Sequence, residues 1–136
     1  MVVIIVAVLA AVGIPLLSAN IIRAKGSEAD AGLGTLRTGM RAYLAEHLTF
    51  GATAPVITDL GVNNADLDTR YFDHSAYSVI SAPNGGTAYC LGVDGSKSTI
   101  APRRTEVNSG TNLVQHAMDQ DGNIYKGTAC SGTAIN

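Results

Sequence analysis

The chain opens with an apolar run that carries no charged residue before Arg23. Val, Ile, Leu and Ala fill the run, so the helix that this composition predicts has no polar face and must be covered on every side. A run of this length is close to the roughly 20 apolar residues that span a bilayer. We therefore predict an apolar half-helix over residues 1–22, which crosses a membrane or packs into a bundle of identical rods.

The large aliphatic side chains of this half-helix are the predicted packing surface. They are Val2, Val3, Ile4, Ile5, Val6, Val8, Leu9, Val12, Ile14, Leu16 and Leu17. Pro15 lacks a backbone N–H, and its ring crowds the carbonyl of Ala11. Gly13 and Pro15 are therefore predicted to break or kink the helix.

Residues 23–50 change to an amphipathic pattern. Apolar residues recur there at spacings of three and four, which indicates one buried helix face. That stripe consists of Ala29, Leu33, Leu36, Met40 and Tyr43. Gly26, Gly32, Gly34 and Gly39 indicate either local looseness or close helix–helix approach. The helix is predicted to end near Phe50, with Gly51 as its cap.

Residues 51–136 are predicted to form a small polar head. A loop over residues 51–70, with a helical turn near Thr58–Leu60, precedes segments of alternating polarity and strong turn signals. The predicted strands are residues 71–80, 87–93, 113–118 and 123–126, with turns at residues 83–86 and 119–122. One long helix packed against four short antiparallel strands makes an α+β fold.

Composition narrows the function classes. Only 15% of the 136 residues are charged and the net charge is −2, which disfavours a nucleic-acid binder. Cys90 and Cys130 are the two cysteines, so either one disulfide forms in an oxidising compartment or two thiols stay free in a reducing one. The disulfide is the favoured interpretation, and a loop of that size contributes about 4 kcal/mol in the chain-entropy model.

No catalytic, cofactor or metal residues are predicted. His47, His74 and His116 are far apart and lack ligand spacing. The stretch Asp119–Gly122 resembles the start of a calcium loop but lacks the distal Glu, so a hairpin turn is favoured. A basic loop containing Lys97, Arg103 and Arg104 is interpreted as a solvated loop that packs on a neighbouring subunit rather than as a DNA-binding patch.

The residues from Met1 to Pro15, continued by Arg23–Ala29, resemble the N-terminal helix of type IV pilins and type II secretion pseudopilins. The likeness is specific over about 30 residues, and the head is similar in general architecture. The family's cleavage-site glycine, N-terminal aromatic residue and early glutamate are not in the sequence. They would precede Met1.

The resemblance implies a chain that a prepilin peptidase releases from a basic leader. The mature helix would sit in the inner membrane, and an assembly machinery would then pack it into a helical homopolymer of identical subunits. It also implies that a disulfide closes the C-terminal loop and that the helix melts near Pro15 on assembly.

Our leading expectation is a major pilin, stored in the inner membrane and then displayed as an extracellular filament for adhesion, motility or uptake. A type II secretion pseudopilin is the alternative within the family. A single-span, membrane-anchored binding domain is the alternative from another class.

Overall fold

The computed structural model of the chain describes residues 2–99 and 113–135, except for the side chains of residues 2, 14–16 and 18. Its first element is a helix of 46 residues, α1, which runs from Val2 to His47. At 1.5 Å per residue this helix is about 69 Å long. The rest of the chain packs against the C-terminal half of α1, so the predicted α+β fold is confirmed.

The helix passes through Gly13 and Pro15 without an interruption of its secondary structure. A proline removes one hydrogen bond while the neighbouring turns keep theirs, so a kinked helix retains this secondary structure. The break or kink expected at these two residues stays a prediction.

The end of α1 also differs from the prediction, because Leu48 rather than Gly51 reverses the chain. Leu48 has a left-handed backbone with φ of 64°. The cause lies in Phe50, which is buried and exchanges backbone hydrogen bonds with the 83–86 turn, at 3.0 Å to the Gly86 carbonyl and 2.8 Å from the Gly85 N–H. To bring Phe50 into the core, the chain must turn three residues earlier than glycine placement suggests.

Four short strands form one antiparallel sheet in the order β1-β2-β3-β4. They are β1 Tyr77–Ser81, β2 Cys90–Asp94, β3 Gln115–Asp119 and β4 Ile124–Lys126. The number and order of strands agree with the sequence pattern, and the turn at Asp119–Gly122 closes through a 3.1 Å hydrogen bond between its end residues. A 3-10 helix at Ile57–Leu60 matches the predicted helical turn, and a one-turn helix α2 follows at Asn64–Leu67.

The predicted helix stripe is the centre of the core. Ala29, Leu33, Leu36 and Met40 are fully buried. They pack against the inner face of the sheet, where Leu91 and Met118 are paired neighbours on β2 and β3. Each buried aliphatic side chain contributes about 1.5–3 kcal/mol. This row of residues therefore joins the head to α1.

The predicted strand at residues 71–80 is only half right, because residues before Tyr77 are not in the sheet. Asp73 is fully buried there, and its carboxylate accepts hydrogen bonds from the Ser75 hydroxyl and from the Thr99 N–H and hydroxyl, the latter two at 3.0 Å. A buried carboxylate needs such donors. These bonds hold the chain in a 3-10 turn at His74–Ala76 instead of a β-ladder.

Three polar contacts attach the head to α1 at successive heights. The Glu28 carboxylate accepts the Tyr71 N–H at 2.7 Å, and the Asp30 carboxylate lies 2.6 Å from Nδ1 of His116. About two turns further along, the Arg37 guanidinium donates to the Gln120 carbonyl at 3.0 and 3.2 Å. Each of these three charged residues therefore holds one part of the head.

The β3–β4 turn is organised by Asp119. Its carboxylate accepts four hydrogen bonds of 2.9 Å, from the Asp121 N–H, from the N–H and side-chain amide of Asn123, and from the Tyr125 hydroxyl. Burial alone raises the pKa of Asp119, but these hydrogen bonds outweigh it and the pKa is lowered. The predicted hairpin turn is therefore a carboxylate-centred network.

Replacing Asp119 by Asn is expected to lower the free energy of unfolding by about 1–2 kcal/mol at neutral pH, because the charged acceptor of four donors is lost. A lowered native pKa means that this stability is present above the unfolded-state pKa and disappears as the pH falls through the native value. Urea unfolding between neutral and strongly acidic pH should thus show a shallower acid loss in D119N than in wild type.

Asp121→Asn is the matched control, since the Asp121 side chain is exposed and only its N–H takes part in the network. It should leave both the stability and its acid dependence close to wild type. Equal profiles for D119N and wild type would show that the carboxylate does not hold the turn.

Candidate functional site

The N-terminal half of α1 projects from the head with its apolar side chains uncovered. Between residues 3 and 22, ten described large aliphatic side chains expose 39% to 79% of their surface. They are Val3, Ile4, Ile5, Val6, Val8, Leu9, Val12, Leu17, Ile21 and Ile22. We call this segment, residues 3–22, the rod.

The rod is apolar around its whole circumference. Residues 3, 4, 5 and 6 are consecutive aliphatic residues, all of them exposed. Successive residues of an α-helix point about 100° apart, so these four residues alone cover every direction around the axis. A single flat partner covers one face of such a helix, and covering all of it takes several partners.

The uncovered area is large for a single chain. Ten aliphatic side chains at 39% to 79% exposure present apolar surface on the order of 1,000 Å². The largest apolar patch on a monomeric soluble protein is about 300–600 Å², and a stable protein interface buries about 800 Å² on each partner. The rod therefore has the size of an interaction surface.

The predicted packing residues follow this surface. Eight of them lie on the described rod and are exposed in the single chain: Val3, Ile4, Ile5, Val6, Val8, Leu9, Val12 and Leu17. The side chains of Val2, Ile14, Pro15 and Leu16 lie outside the described part. That these residues pack together in a filament core stays a prediction.

The first charged residues of α1, Arg23 and Lys25, lie where the helix reaches the head. Lys25 is buried, and its ammonium lies 5.2 Å from the centre of the Tyr71 ring, with the Arg70 guanidinium 5.3 Å from the same centre. A cation over an aromatic face is stabilised by the ring quadrupole. The head thus covers Lys25, whereas the uncharged stretch before Arg23 is exposed.

In the part of the chain that the structure describes, no helix is both long and apolar enough to cross a membrane. A span requires about 20 apolar residues. The transmembrane helix predicted over residues 1–22 is therefore not borne out among the described residues.

The other candidate groups have structural partners. His47 stacks on Tyr43 at 4.2 Å between ring centres, His74 bonds to Asp68 at 3.1 Å, and His116 pairs with Asp30. Over residues 2–99 and 113–135, no three potential ligands converge on a point where a metal could bind. Lys97 is exposed, whereas Arg103 and Arg104 lie outside the described residues.

The two cysteines form the predicted disulfide, with Cα atoms 5.9 Å apart. It ties the first residue of β2 to the segment after β4. That segment also returns along β4, where the Ile135 N–H donates to the Ile124 carbonyl at 2.7 Å. The disulfide and this bond hold the C-terminus against the head.

One contact between helix and sheet has no signal in the sequence. Gly32 lies directly beneath the buried Tyr77 ring, which fills the space that a side chain on the helix would take. Burial raises the pKa of the Tyr77 hydroxyl, and the nearby Glu28 and Asp30 carboxylates add to this effect. The hydroxyl has no hydrogen-bond partner among the described residues. Tyr77 is therefore a packing residue held by shape.

Comparison with protein-family models, with curated proteins and with solved structures finds no match for this chain. Among the surfaces of the described chain, the rod departs furthest from what an isolated soluble domain exposes.

Proposed function

We propose that this chain is the structural subunit of a type IV pilus-like filament, in which identical rods pack side by side. The observation that supports the proposal is the rod's exposure of aliphatic side chains in every direction around its axis. Several copies of the same uncharged helix can cover such a surface, and a copy of this chain brings a rod of matching length and chemistry.

The assembly step would be the burial of apolar surface. Each Val, Leu or Ile side chain that moves from water into a packed core contributes about 1.5–3 kcal/mol. Ten partly exposed side chains on each rod supply many such increments, which oppose the entropy lost when a subunit joins the polymer. No charge has to be desolvated, because the segment contains none.

The head would form the outer surface of the polymer. Its disulfide suits an oxidising location, so we place the filament outside the cell. Adhesion, motility or uptake would be properties of the displayed heads, and the proposal assigns no catalysed reaction.

The test is an aspartate placed in the rod. Leu9→Asp should reduce the polymer recovered by sedimentation at least tenfold, because a buried carboxylate without a partner is strongly unfavourable. Negative-stain electron microscopy should show filaments for the wild-type chain and none for L9D. The head of L9D should keep its wild-type unfolding transition, since Leu9 is 67% exposed in the single chain.

Leu48→Asp is the matched control, because it makes the same change at a residue that is 77% exposed and lies beyond the end of α1. L48D should assemble like wild type. A wild-type chain that stays monomeric after complete removal of detergent would contradict the proposal and favour a membrane-anchored binding domain. Short periplasmic assemblies, with loss of protein secretion on deletion, would favour the pseudopilin.

A further inference from the structure

A groove lies where the rod enters the head. Its walls come from α1 on one side and from β3, β4 and the C-terminal segment on the other, and its volume is about 430 Å³. Its lining residues include Ile22, Gly26, Asp30, His116, Lys126 and Ile135. We call it the junction groove.

The groove combines aliphatic surface with a hydrogen-bonded Asp30–His116 pair, and the side chains of Arg23 and Lys126 also line it. Ile22 and Ile135 are 39% and 51% exposed, so aliphatic surface faces the opening. Asp30 and His116 bond to each other across the groove at 2.6 Å. An apolar occupant can therefore lie on the aliphatic surface without leaving either member of this pair unpartnered.

Gly26 leaves space on the α1 side of the groove, because glycine has no side chain. A Cβ at this position would lie 3.6 Å from Cε1 of His116, and no other neighbour would come within 4 Å. At Gly26, α1 therefore places no side chain in the middle of the groove. Small residues of this kind allow another helix to approach closely.

The groove is continuous with the rod surface. Ile21 and Ile22 are both partly exposed, and they connect the aliphatic residues before them to the groove. A second helix that lies along the rod of one chain would therefore reach the junction groove at its end.

The chain's own rod tip cannot fill the groove. Residues 3–12 precede Gly26 by 14 to 23 residues on one uninterrupted helix. At 1.5 Å per residue they lie about 21–35 Å away along the axis. Aliphatic side chains from residues 3–12 can enter the groove only from another copy.

We propose that the junction groove binds the rod tip, residues 3–12, of a second copy of this chain that lies parallel and is displaced by about 21–35 Å along the axis. This inference rests on the proposed filament and specifies one of its contacts. The two surfaces in the contact are different, so each copy keeps one free groove and one free tip. Repetition of the contact extends the polymer without closing it.

Photo-cross-linking tests the contact directly. The photoreactive amino acid benzoylphenylalanine, placed at position 135, should capture the tryptic peptide that ends at Arg23, and mixed filaments of isotope-labelled and unlabelled chains should show that the two peptides come from different copies. The same amino acid at position 56, where Val56 is exposed on another part of the head, is the control. It should capture the rod peptide at least tenfold less.

An assembly measurement separates this inference from the filament proposal. Ile135→Asp should reduce the sedimented polymer at least tenfold, while Val56→Asp, the same charge at a residue of similar exposure, should leave it within twofold of wild type. If I135D assembles normally while L9D does not, the groove contact is wrong and the filament proposal stands. If cross-links from position 135 reach only head peptides, the groove contact is likewise overturned.

Discussion

A chain in which Cys90 and Cys130 are both replaced by Ala is expected to lose about 4 kcal/mol of unfolding free energy relative to the oxidised wild type. The two residues are 40 positions apart. In the chain-entropy model, a cross-link that closes a loop of this size removes about 4 kcal/mol of conformational freedom from the unfolded chain. For a head of this size, that is a large part of the 5–15 kcal/mol typical of a domain.

Urea unfolding of the double variant and of wild type, each with and without reductant, measures the effect. Reductant should bring wild type to the stability of the double variant and should not change the variant itself. A double variant as stable as the oxidised wild type would show that the remaining bonds of the C-terminal segment, such as the 2.8 Å bond from the Gly127 N–H to the Gln115 carbonyl, are sufficient.

Replacing Gly32 by Ala is expected to cost about 3 kcal/mol, at the upper end of what overpacking a core costs. A Cβ at Gly32 would lie 2.5 and 2.6 Å from two carbon atoms of the Tyr77 ring and would also meet its hydroxyl. The ring is buried against Phe72, with centroids 6.3 Å apart, and cannot move aside without disturbing the core. The helix and the sheet must therefore separate locally.

Gly34→Ala is the matched control on the same helix. A Cβ there would meet nothing within 4 Å, so the gain in helix propensity of up to about 1 kcal/mol should appear as increased stability. Thermal and urea unfolding of the two variants should move in opposite directions. Adding Tyr77→Phe to G32A should restore part of the loss, because it removes the hydroxyl that the new Cβ meets; equal stability of G32A and G34A would contradict the packing argument.

The sequence pattern predicts those parts of the fold that depend on periodicity. Apolar residues at spacings of three and four identify the buried face from Ala29 to Met40, since a helix places them on one side. The turn residues at 83–86 and 119–122 locate the hairpins for a similar reason. Both signals depend on residues close together in the sequence, and the buried helix face and the two turns lie where they were predicted.

Contacts between distant residues are not encoded in such patterns. The residues next to Gly32 in the sequence give no sign of its contact with Tyr77. Likewise, the residues near Asp73 give no sign of its hydrogen bonds to Thr99, which lies 26 positions later. Asp73 was predicted to lie in a strand, but it is a buried hydrogen-bond acceptor, because the fold brings donors to it that no local pattern reveals. The sequence therefore predicted that β1 exists but not where it begins.

The rod could be predicted as an apolar helix because its composition leaves no polar face. Its exposure also follows from length, since a head of about 85 residues cannot cover a helix about 69 Å long. What covers the rod is a different question. Lipid and identical rods favour the same aliphatic residues, so the residue pattern by itself does not distinguish them.

The contacts of Glu28, Asp30 and Arg37 with the head have a mechanical consequence. They lie at three levels along α1, and the buried row from Ala29 to Met40 lies among them. A tensile load applied along α1 would shear these contacts together rather than peel them one after another. The head would thus resist being stripped from its own helix when the two are pulled in opposite directions.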